Sequence, residues 1–217
     1  MPPRSFRLLL IAIFSLGLLG SPVAENDDAD VPWVREREAV HEQATNAFAK
    51  QDWNQAQHLY NRILEHEPRN PLILANLGSV EYQLDDLKAC TQYLEMALAL
   101  KNDLHASREM LGMAYYQDKQ PYRALAALAR AVGDQPKEAR AHNQLAVVLQ
   151  AMKWFDGAES SLKTAVQLDP EYLDAHYNLA LFYLDTEPRR LKLARKHYEI
   201  AKQLGMASSE LMEKRLK

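Results

Sequence analysis

The chain has 217 residues, of which 47% are hydrophobic and 25% charged, so it is neither a disordered chain, a collagen-like fibre nor a polytopic membrane protein. Its 26 Lys and Arg against 29 Asp and Glu give a formal net charge of -3. A general nucleic-acid binder needs a basic surplus, so we expect no nucleic-acid partner. A single cysteine excludes an intramolecular disulfide framework, and seven glycines are few for a β-rich protein.

The first 24 residues have the pattern of a secretory signal peptide. Arg4 and Arg7 precede an uncharged apolar run over residues 8–19, and small, turn-prone residues follow as far as Ala24. Twelve helical residues span about 18 Å, less than the roughly 30 Å hydrocarbon core of a bilayer. We therefore expect an exported protein, periplasmic or secreted. The alternative is a protein tethered to the membrane through an uncleaved signal.

Residues 25–34 form an acidic segment that is poor in apolar side chains. Such a composition cannot bury enough apolar surface to offset the entropy of ordering the chain. The segment is predicted to be a flexible linker.

From residue 37 onward the sequence repeats with a period of 34 residues. Small or apolar residues recur at this interval in three columns, with two extra residues in the last step of the second and third. The columns are Ala44, Gly78, Gly112, Ala146 and Ala180; Ala56, Cys90, Ala124, Ala158 and Ala194; and Ile63, Ala97, Ala131, Ala165 and Ala201. A period maintained in three independent columns indicates a repeat architecture.

The chemistry of the columns predicts a helix–turn–helix unit. Two antiparallel helices pack closely only where a small side chain lies between their backbones. Apolar residues at helical spacing give each helix one buried stripe. Pro68, Pro136 and Pro170 end three of the units, because proline disfavours helix at the residue before it. Gly112 lies at a close approach of two helices, so it is expected to tolerate alanine but not leucine.

These features resemble the tetratricopeptide repeat. The period, the closing prolines and a Leu-Gly or Leu-Ala pair are typical of that family; the pairs are Leu77-Gly78, Leu111-Gly112, Leu145-Ala146 and Leu179-Ala180. The resemblance covers a repeat domain of residues 35–206, with units 37–70, 71–104, 105–138, 139–172 and 173–206. It implies an all-α, right-handed superhelix of about five helix–turn–helix repeats.

Residues 207–217 are predicted to form a short C-terminal capping helix. Gly205 is suited to end the preceding helix in a left-handed conformation, and Ser208 or Ser209 to start the new one. The exposed end of the last repeat would then be covered by Leu211, Met212 and Leu216.

The resemblance also implies where a ligand would bind. In this family the ligand-facing positions of the first helices line a concave groove. Tyrosine and methionine suit adaptable peptide contacts. The partner-binding residues that it predicts here are Tyr82, Gln83, Met113, Tyr116, Asn143, Gln150 and Tyr177. A solvated groove without a dedicated ligand is the alternative.

A basic run near the C-terminus has two interpretations. It is either a solvated helix start with long aliphatic stems, or an anion patch for an acidic partner, lipid headgroups or a polyanion. Its five residues are Arg189, Arg190, Lys192, Arg195 and Lys196.

No sequence motif indicates catalysis. The chain has no G-x-S-x-G, no phosphate-loop and no dinucleotide-binding glycine pattern, and its seven histidines form no zinc-binding pattern. Cys90, in a small-residue column, is expected to be a buried, inert thiol. We expect no enzyme, no cofactor and no bound metal.

Together these features favour a scaffold or adaptor that binds a peptide segment or helix of another protein in its groove, in the cell envelope or secretory compartment. The alternatives are a self-assembling module that forms a homo-oligomer, or a non-catalytic subunit of an enzyme complex.

Overall fold

The computed structural model describes residues 32–216, which form eleven α-helices and no strand. The helices are α1 (Pro32–Ala49), α2 (Trp53–His66), α3 (Pro71–Gln83), α4 (Leu87–Leu100), α5 (His105–Gln117), α6 (Pro121–Asp134), α7 (Ala139–Ala151), α8 (Phe155–Leu168), α9 (Leu173–Asp185), α10 (Leu191–Gln203) and α11 (Glu210–Arg215).

The first ten helices form five helix–turn–helix pairs, and α11 follows as a short final helix. The predicted all-α repeat fold is therefore confirmed. The chain divides into two compact bodies at Ser107 and Arg108, within the first turn of α5. The N-terminal body contains α1–α4, and the C-terminal body contains most of α5 together with α6–α11.

The turns inside the first four pairs share one conformation. In each turn one residue has a left-handed backbone, and the next N–H donates to a carbonyl five residues earlier, as in a Schellman motif. The left-handed residues are Gln51 (φ 60), Asp85 (φ 67), Lys119 (φ 59) and Lys153 (φ 62). The bonds run from Asp52 to Ala47, Asp86 to Glu81, Gln120 to Tyr115 and Trp154 to Leu149. The fifth turn is two residues longer and lacks this pattern; there Arg190 N–H donates to the Tyr183 carbonyl.

The small-residue columns lie where the helices of a pair meet. Ala44, Ala56, Ala146 and Ala158 are fully buried. At Gly112 an added Cβ would lie 2.5 Å from Cγ of Leu128, closer than real Cβ atoms approach. The expectation that this position tolerates alanine is therefore wrong in this geometry, because Leu128 would have to move.

The first helix begins earlier than the sequence predicted. It starts at Pro32, a residue suited to the first helical position. The Trp33 ring stacks on His66 of α2, with ring centroids 4.2 Å apart. Residues 32–34, predicted as linker, are thus helical because they pack on the second helix. The predicted signal over residues 1–24 and the rest of the predicted linker lie outside the described residues.

The C-terminal end of the repeats is covered by α11. Gly205 has a left-handed backbone with φ 105, as expected. Ser209 is the N-cap of α11, and its hydroxyl accepts a hydrogen bond from Met212 N–H. Met212 and Leu216 are buried. Leu211 is 67% exposed, contrary to expectation, because it lies on the other side of this short helix.

Candidate functional site

In the N-terminal body the structure places two of the predicted groove residues at the end of one helix. Tyr82 and Gln83 occupy the last two positions of α3, and both are partly buried. They lie next to the tight turn at Asp85, which fixes the end of the helix.

In the C-terminal body three predicted groove residues lie on successive first helices. Tyr116 is on α5, Gln150 on α7 and Tyr177 on α9, and each is partly exposed. Tyr177 also packs against the core cluster around Leu179 and Tyr183. These three side chains keep both a packed part and a solvent-facing part, as a peptide-contacting residue requires.

Two other predicted groove residues lie inside the fold. Met113 is 7% exposed and Asn143 is fully buried. Side chains with so little exposed surface offer a partner almost no direct contact, so the structure corrects the expectation for both. Asn143 instead accepts a hydrogen bond from Nδ2 of Asn178 at 2.9 Å, and its own Nδ2 donates to the Tyr172 hydroxyl at 3.5 Å.

This amide network joins α7 to α9 and to the residue that precedes α9. A fully buried amide needs partners, because an unsatisfied polar group is costly in a low-dielectric interior. Burial also raises the pKa of Tyr172, so its hydroxyl stays protonated. The sequence showed the asparagines but not that they were partners, because the two lie on different repeats.

An ion pair next to the network joins α5 to α7. Nε of Arg140 donates to Oε2 of Glu109 at 2.7 Å, and Glu109 is only 3% exposed. Burial alone would lower the pKa of Arg140, but its hydrogen bond to Glu109 and the nearby charges of Glu109 and Glu138 together outweigh burial, and the pKa is raised. The guanidinium of Arg140 therefore stays charged at every physiological pH. Asp174 occupies the position on α9 that Arg140 occupies on α7, and burial raises the pKa of its carboxyl.

The five residues of the predicted anion patch have different roles. Arg190 forms an ion pair with Glu159 at 2.8 Å, and its guanidinium lies 4.4 Å from the centre of the Tyr183 ring. Arg195 donates to the carbonyl of Leu216 at 2.5 Å. These two arginines therefore stabilise the fold. Four of the five side chains are exposed: Arg189, Lys192, Arg195 and Lys196.

Cys90 has the properties of an inert thiol. It is fully buried in α4, and burial raises the pKa of its thiol to about 12. The thiolate is the reactive form of cysteine, so a group with this pKa is not a nucleophile at neutral pH.

Two histidines of the last repeat are directly hydrogen-bonded. Nδ1 of His176 lies 3.0 Å from Nδ1 of His197, and Nε2 of His176 lies 3.0 Å from the Pro170 carbonyl oxygen. Because a carbonyl oxygen only accepts, Nε2 of His176 is protonated and its Nδ1 accepts from His197. Burial lowers the pKa of both rings, that of His197 to about 4. The pair is therefore neutral at pH 7. Within residues 32–216 no three metal-ligating side chains cluster together.

The comparison with known families decides the identity of the fold. A family model described as the tetratricopeptide repeat matches residues 41–104 and 153–209, which together exceed half of the chain. The chain belongs to the tetratricopeptide repeat family. Across residues 32–216 of this tetratricopeptide repeat protein, no helix is long and apolar enough to cross a membrane.

Known proteins similar to this tetratricopeptide repeat protein include one curated relative and several solved structures. Protein O-mannosyl-transferase Tmtc3 of Drosophila melanogaster is 23% identical over 147 residues; the match covers 67% of this chain and 16% of that protein. MamA from Desulfovibrio magneticus RS-1 superposes with a TM-score of 0.70 at 20% identity, covering 78% of this chain and 94% of the other.

YrrB, described as a TPR protein with an unusual peptide-binding site, superposes with a TM-score of 0.63 at 22% identity over 81% of this chain and 94% of its own. At these identities the solved structures show that the fold is shared. The chain spans only a small part of the curated relative's length.

Proposed function

We propose that this protein is a non-enzymatic scaffold that binds a peptide segment or helix of a partner protein on the first helices of its repeats. The observation that supports it most is the set of partly exposed side chains of Tyr116, Gln150 and Tyr177 on successive first helices of the C-terminal body. YrrB, which shares the fold, has a peptide-binding site according to its description.

The chemistry of the chain favours binding over catalysis. The thiol of Cys90 is buried with a raised pKa, and the His176–His197 pair is occupied by its own hydrogen bonds. The carboxylate of Glu109 is held by Arg140. Each of these groups is already bonded or buried, which favours a structural role for all of them. We further propose, from the signal-like first 24 residues, that the protein acts in the cell envelope or secretory compartment.

Tyr116 is the residue on which the proposal is tested. A tyrosine provides a large, rigid contact surface and a hydroxyl for a peptide backbone, so it is a common hot spot. We expect Tyr116→Ala to weaken binding of a partner captured from the native envelope fraction by about 1–3 kcal/mol. The melting temperature, measured by circular dichroism, should change little, because part of the ring is already exposed.

A matched control is available in the same body. Leu193 lies on the second helix α10, outside the proposed groove, and is 40% exposed, so Leu193→Ala removes an exposed apolar side chain from another helix. It should leave affinity for the captured partner unchanged. A Tyr116→Ala protein that is destabilised, yet binds normally in its folded fraction, would show that the ring is a packing residue and would defeat the groove assignment.

A further inference from the structure

The second helices of the repeats begin in two different ways. Before α2 and α4 the N-cap residues are Asp52 and Asp86, whose Oδ1 atoms accept from the backbone of Gln55 and Ala89. In the C-terminal body the same position is held by residues that make no side-chain cap bond, namely Gln120, Trp154 and Arg190. A capping aspartate stabilises a helix, so these three helices forgo that stabilisation.

The same three turns expose apolar side chains. We name residues 118–123, 153–157 and 187–192 the turn edge of the C-terminal body. Its exposed apolar residues are Tyr122 at 74%, Trp154 at 52%, Phe155 at 42% and Leu191 at 37%. Large exposed rings are uncommon on a surface without a partner, and they mark contact sites when they adjoin one another.

The turn edge is also basic, in a chain whose net charge is negative. It contains six Lys and Arg side chains against three acids, whereas the corresponding turns of the N-terminal body, residues 50–55 and 84–89, contain two against three. Among the basic residues Lys119, Lys153, Arg189 and Lys192 are exposed. Aromatic and basic side chains thus occur together at one end of the helix pairs.

Side chains from two of these turns contact the same ring, that of Phe182 in α9. The ring of Phe155, the first residue of α8, lies 6.4 Å from the Phe182 ring of α9. The guanidinium of Arg190, before α10, lies 5.5 Å from the centre of the same Phe182 ring. The turn before α6 lies at the same end of its pair, and α6 packs against α7. The turn edge is therefore a surface of neighbouring turns.

The chemistry of this surface matches a membrane interface. Tryptophan and tyrosine favour the headgroup region of a bilayer, where one side of the ring is apolar and the other hydrated. Lysine and arginine beside them are attracted to anionic lipids. An acidic protein segment is the competing ligand for the same side chains, and polyglutamate represents it in the test of this surface.

We propose that the turn edge of the C-terminal body docks on the surface of an anionic lipid bilayer. Trp154, Phe155 and Tyr122 enter the headgroup region, and the exposed lysines lie beside the anionic headgroups. This surface consists of the turns, whereas the proposed peptide contacts are made by side chains of the first helices.

Trp154 is a built-in reporter for this docking. The chain has three tryptophans, and the other two, Trp33 and Trp53, lie in the N-terminal body. Full-length protein is mixed with vesicles of phosphatidylcholine and brominated phosphatidylglycerol, or of brominated phosphatidylcholine alone. We expect fluorescence quenching with the anionic vesicles and little with the zwitterionic ones. Trp154→Asp removes this fluorophore, so the part of the emission that anionic vesicles quench should disappear.

Trp154→Asp separates docking from folding. It places at this turn the residue that caps α2 and α4, so the melting temperature should stay the same or rise. The affinity of the protein for anionic vesicles should fall at least about tenfold, a change of 1.4 kcal/mol in binding free energy. Met96→Asp is the matched control, since Met96 is 48% exposed on α4 of the other body and should be silent.

A charge variant tests the electrostatic part. Lys153→Glu with Lys192→Glu should weaken the quenching of Trp154 by anionic vesicles, and added salt should weaken it in the wild-type protein. The proposal is overturned if the protein binds vesicles while Trp154 stays unquenched, because the contact then lies elsewhere, as in residues 8–19. Trp154 emission that responds to polyglutamate but not to vesicles would also overturn it, in favour of an acidic protein segment.

Discussion

At the scale of single residues, the close approach of helices at the glycines is the most restrictive feature. Gly78 and Gly112 each face a leucine of the second helix, Leu94 and Leu128, with no room for a Cβ. In the next two repeats the same column holds Ala146 and Ala180, both fully buried. The column thus holds glycine in two repeats, where a leucine leaves no room for a Cβ, and a buried alanine in the two repeats that follow.

We expect Gly112→Ala to lower the free energy of unfolding by about 1–2 kcal/mol, because the overpacking outweighs the helix propensity gained by alanine. Thermal and urea melts followed by circular dichroism measure it. Gly133→Ala on α6 is the control: nothing lies within 4 Å of an added Cβ there. That variant should be neutral or more stable by up to about 1 kcal/mol. Equal effects at both glycines would contradict the packing argument.

The His176–His197 pair makes stability depend on pH. Burial lowers both pKa values, so the folded state binds fewer protons than the unfolded chain below pH 6.5. The contribution of this pair to the free energy of unfolding is therefore fully present above about pH 6.5. It is lost as the pH decreases towards about 4, the pKa of His197. Asp169 opposes the lowering at His176, whereas Lys196 adds to it at both rings.

We expect His197→Ser to flatten the pH dependence of urea unfolding between neutral and acidic pH by on the order of 1 kcal/mol, allowing for the partial exposure of the ring. Serine is chosen because Ser161 holds the equivalent place in the preceding repeat. His58→Ser, at an exposed histidine of α2, is the control and should leave the profile unchanged. Identical slopes in all three proteins would show that the pair does not titrate as described.

At the scale of elements, the repeated tight turn contains a backbone conformation that suits few residues. Gln51, Lys119 and Lys153 have positive φ, a region that costs an ordinary side chain roughly 1–2 kcal/mol and an asparagine less. The turn is maintained because the N–H after each of these residues closes the end of the first helix.

Gln51→Asn should therefore raise the free energy of unfolding by about 0.5–1 kcal/mol. Denaturant melts of the two proteins measure the difference. Lys50→Asn, at the neighbouring residue without positive φ, should not stabilise the protein. If both substitutions stabilise equally, composition rather than the left-handed backbone is responsible.

The sequence predicted the elements better than the surroundings of their side chains. The 34-residue columns identified the buried alanines and helix pairs, because one packing geometry recurs in every repeat. Asn143 was predicted as a surface residue, since a repeat position specifies a helix face but not the hydrogen-bond partners, Asn178 and Tyr172, supplied by the next repeat. The prediction that Leu211 is buried was wrong for a similar reason, because the six residues of α11 are too few to show a clear periodicity.

At the scale of the whole molecule, stability depends on neighbouring repeats. No pair of helices can bury its apolar face alone, so each end of a repeat array requires a covering element. α11 provides it at the C-terminal end through Met212 and Leu216, which are 2% and 5% exposed. At the other end Trp33 and its stacked partner His66 close the first pair.

Export is tested on the protein with residues 1–24 included. Expressed from Met1 in a host with a general secretion pathway, the protein is predicted to be found outside the cytoplasm without its first two dozen residues or so, because the pattern of residues 1–24 predicts a cleavable signal. Fractionation with N-terminal sequencing measures this. Replacing Leu10 and Leu18 by arginine is the control, since it interrupts the apolar run and should retain the protein inside. An intact Met1 on wild-type protein in the cytoplasm would contradict the prediction.

Chemical labelling of Cys90, the single cysteine of the sequence, can measure how often the N-terminal body opens. Because the side chain is completely covered within the N-terminal body, a thiol reagent can label it only while α4 is detached from its neighbours. In excess reagent the labelling rate then measures how often that body opens under native conditions, free of interference from any second sulfhydryl. Comparing this rate with global unfolding separates excursions of the first body from unfolding of the entire chain.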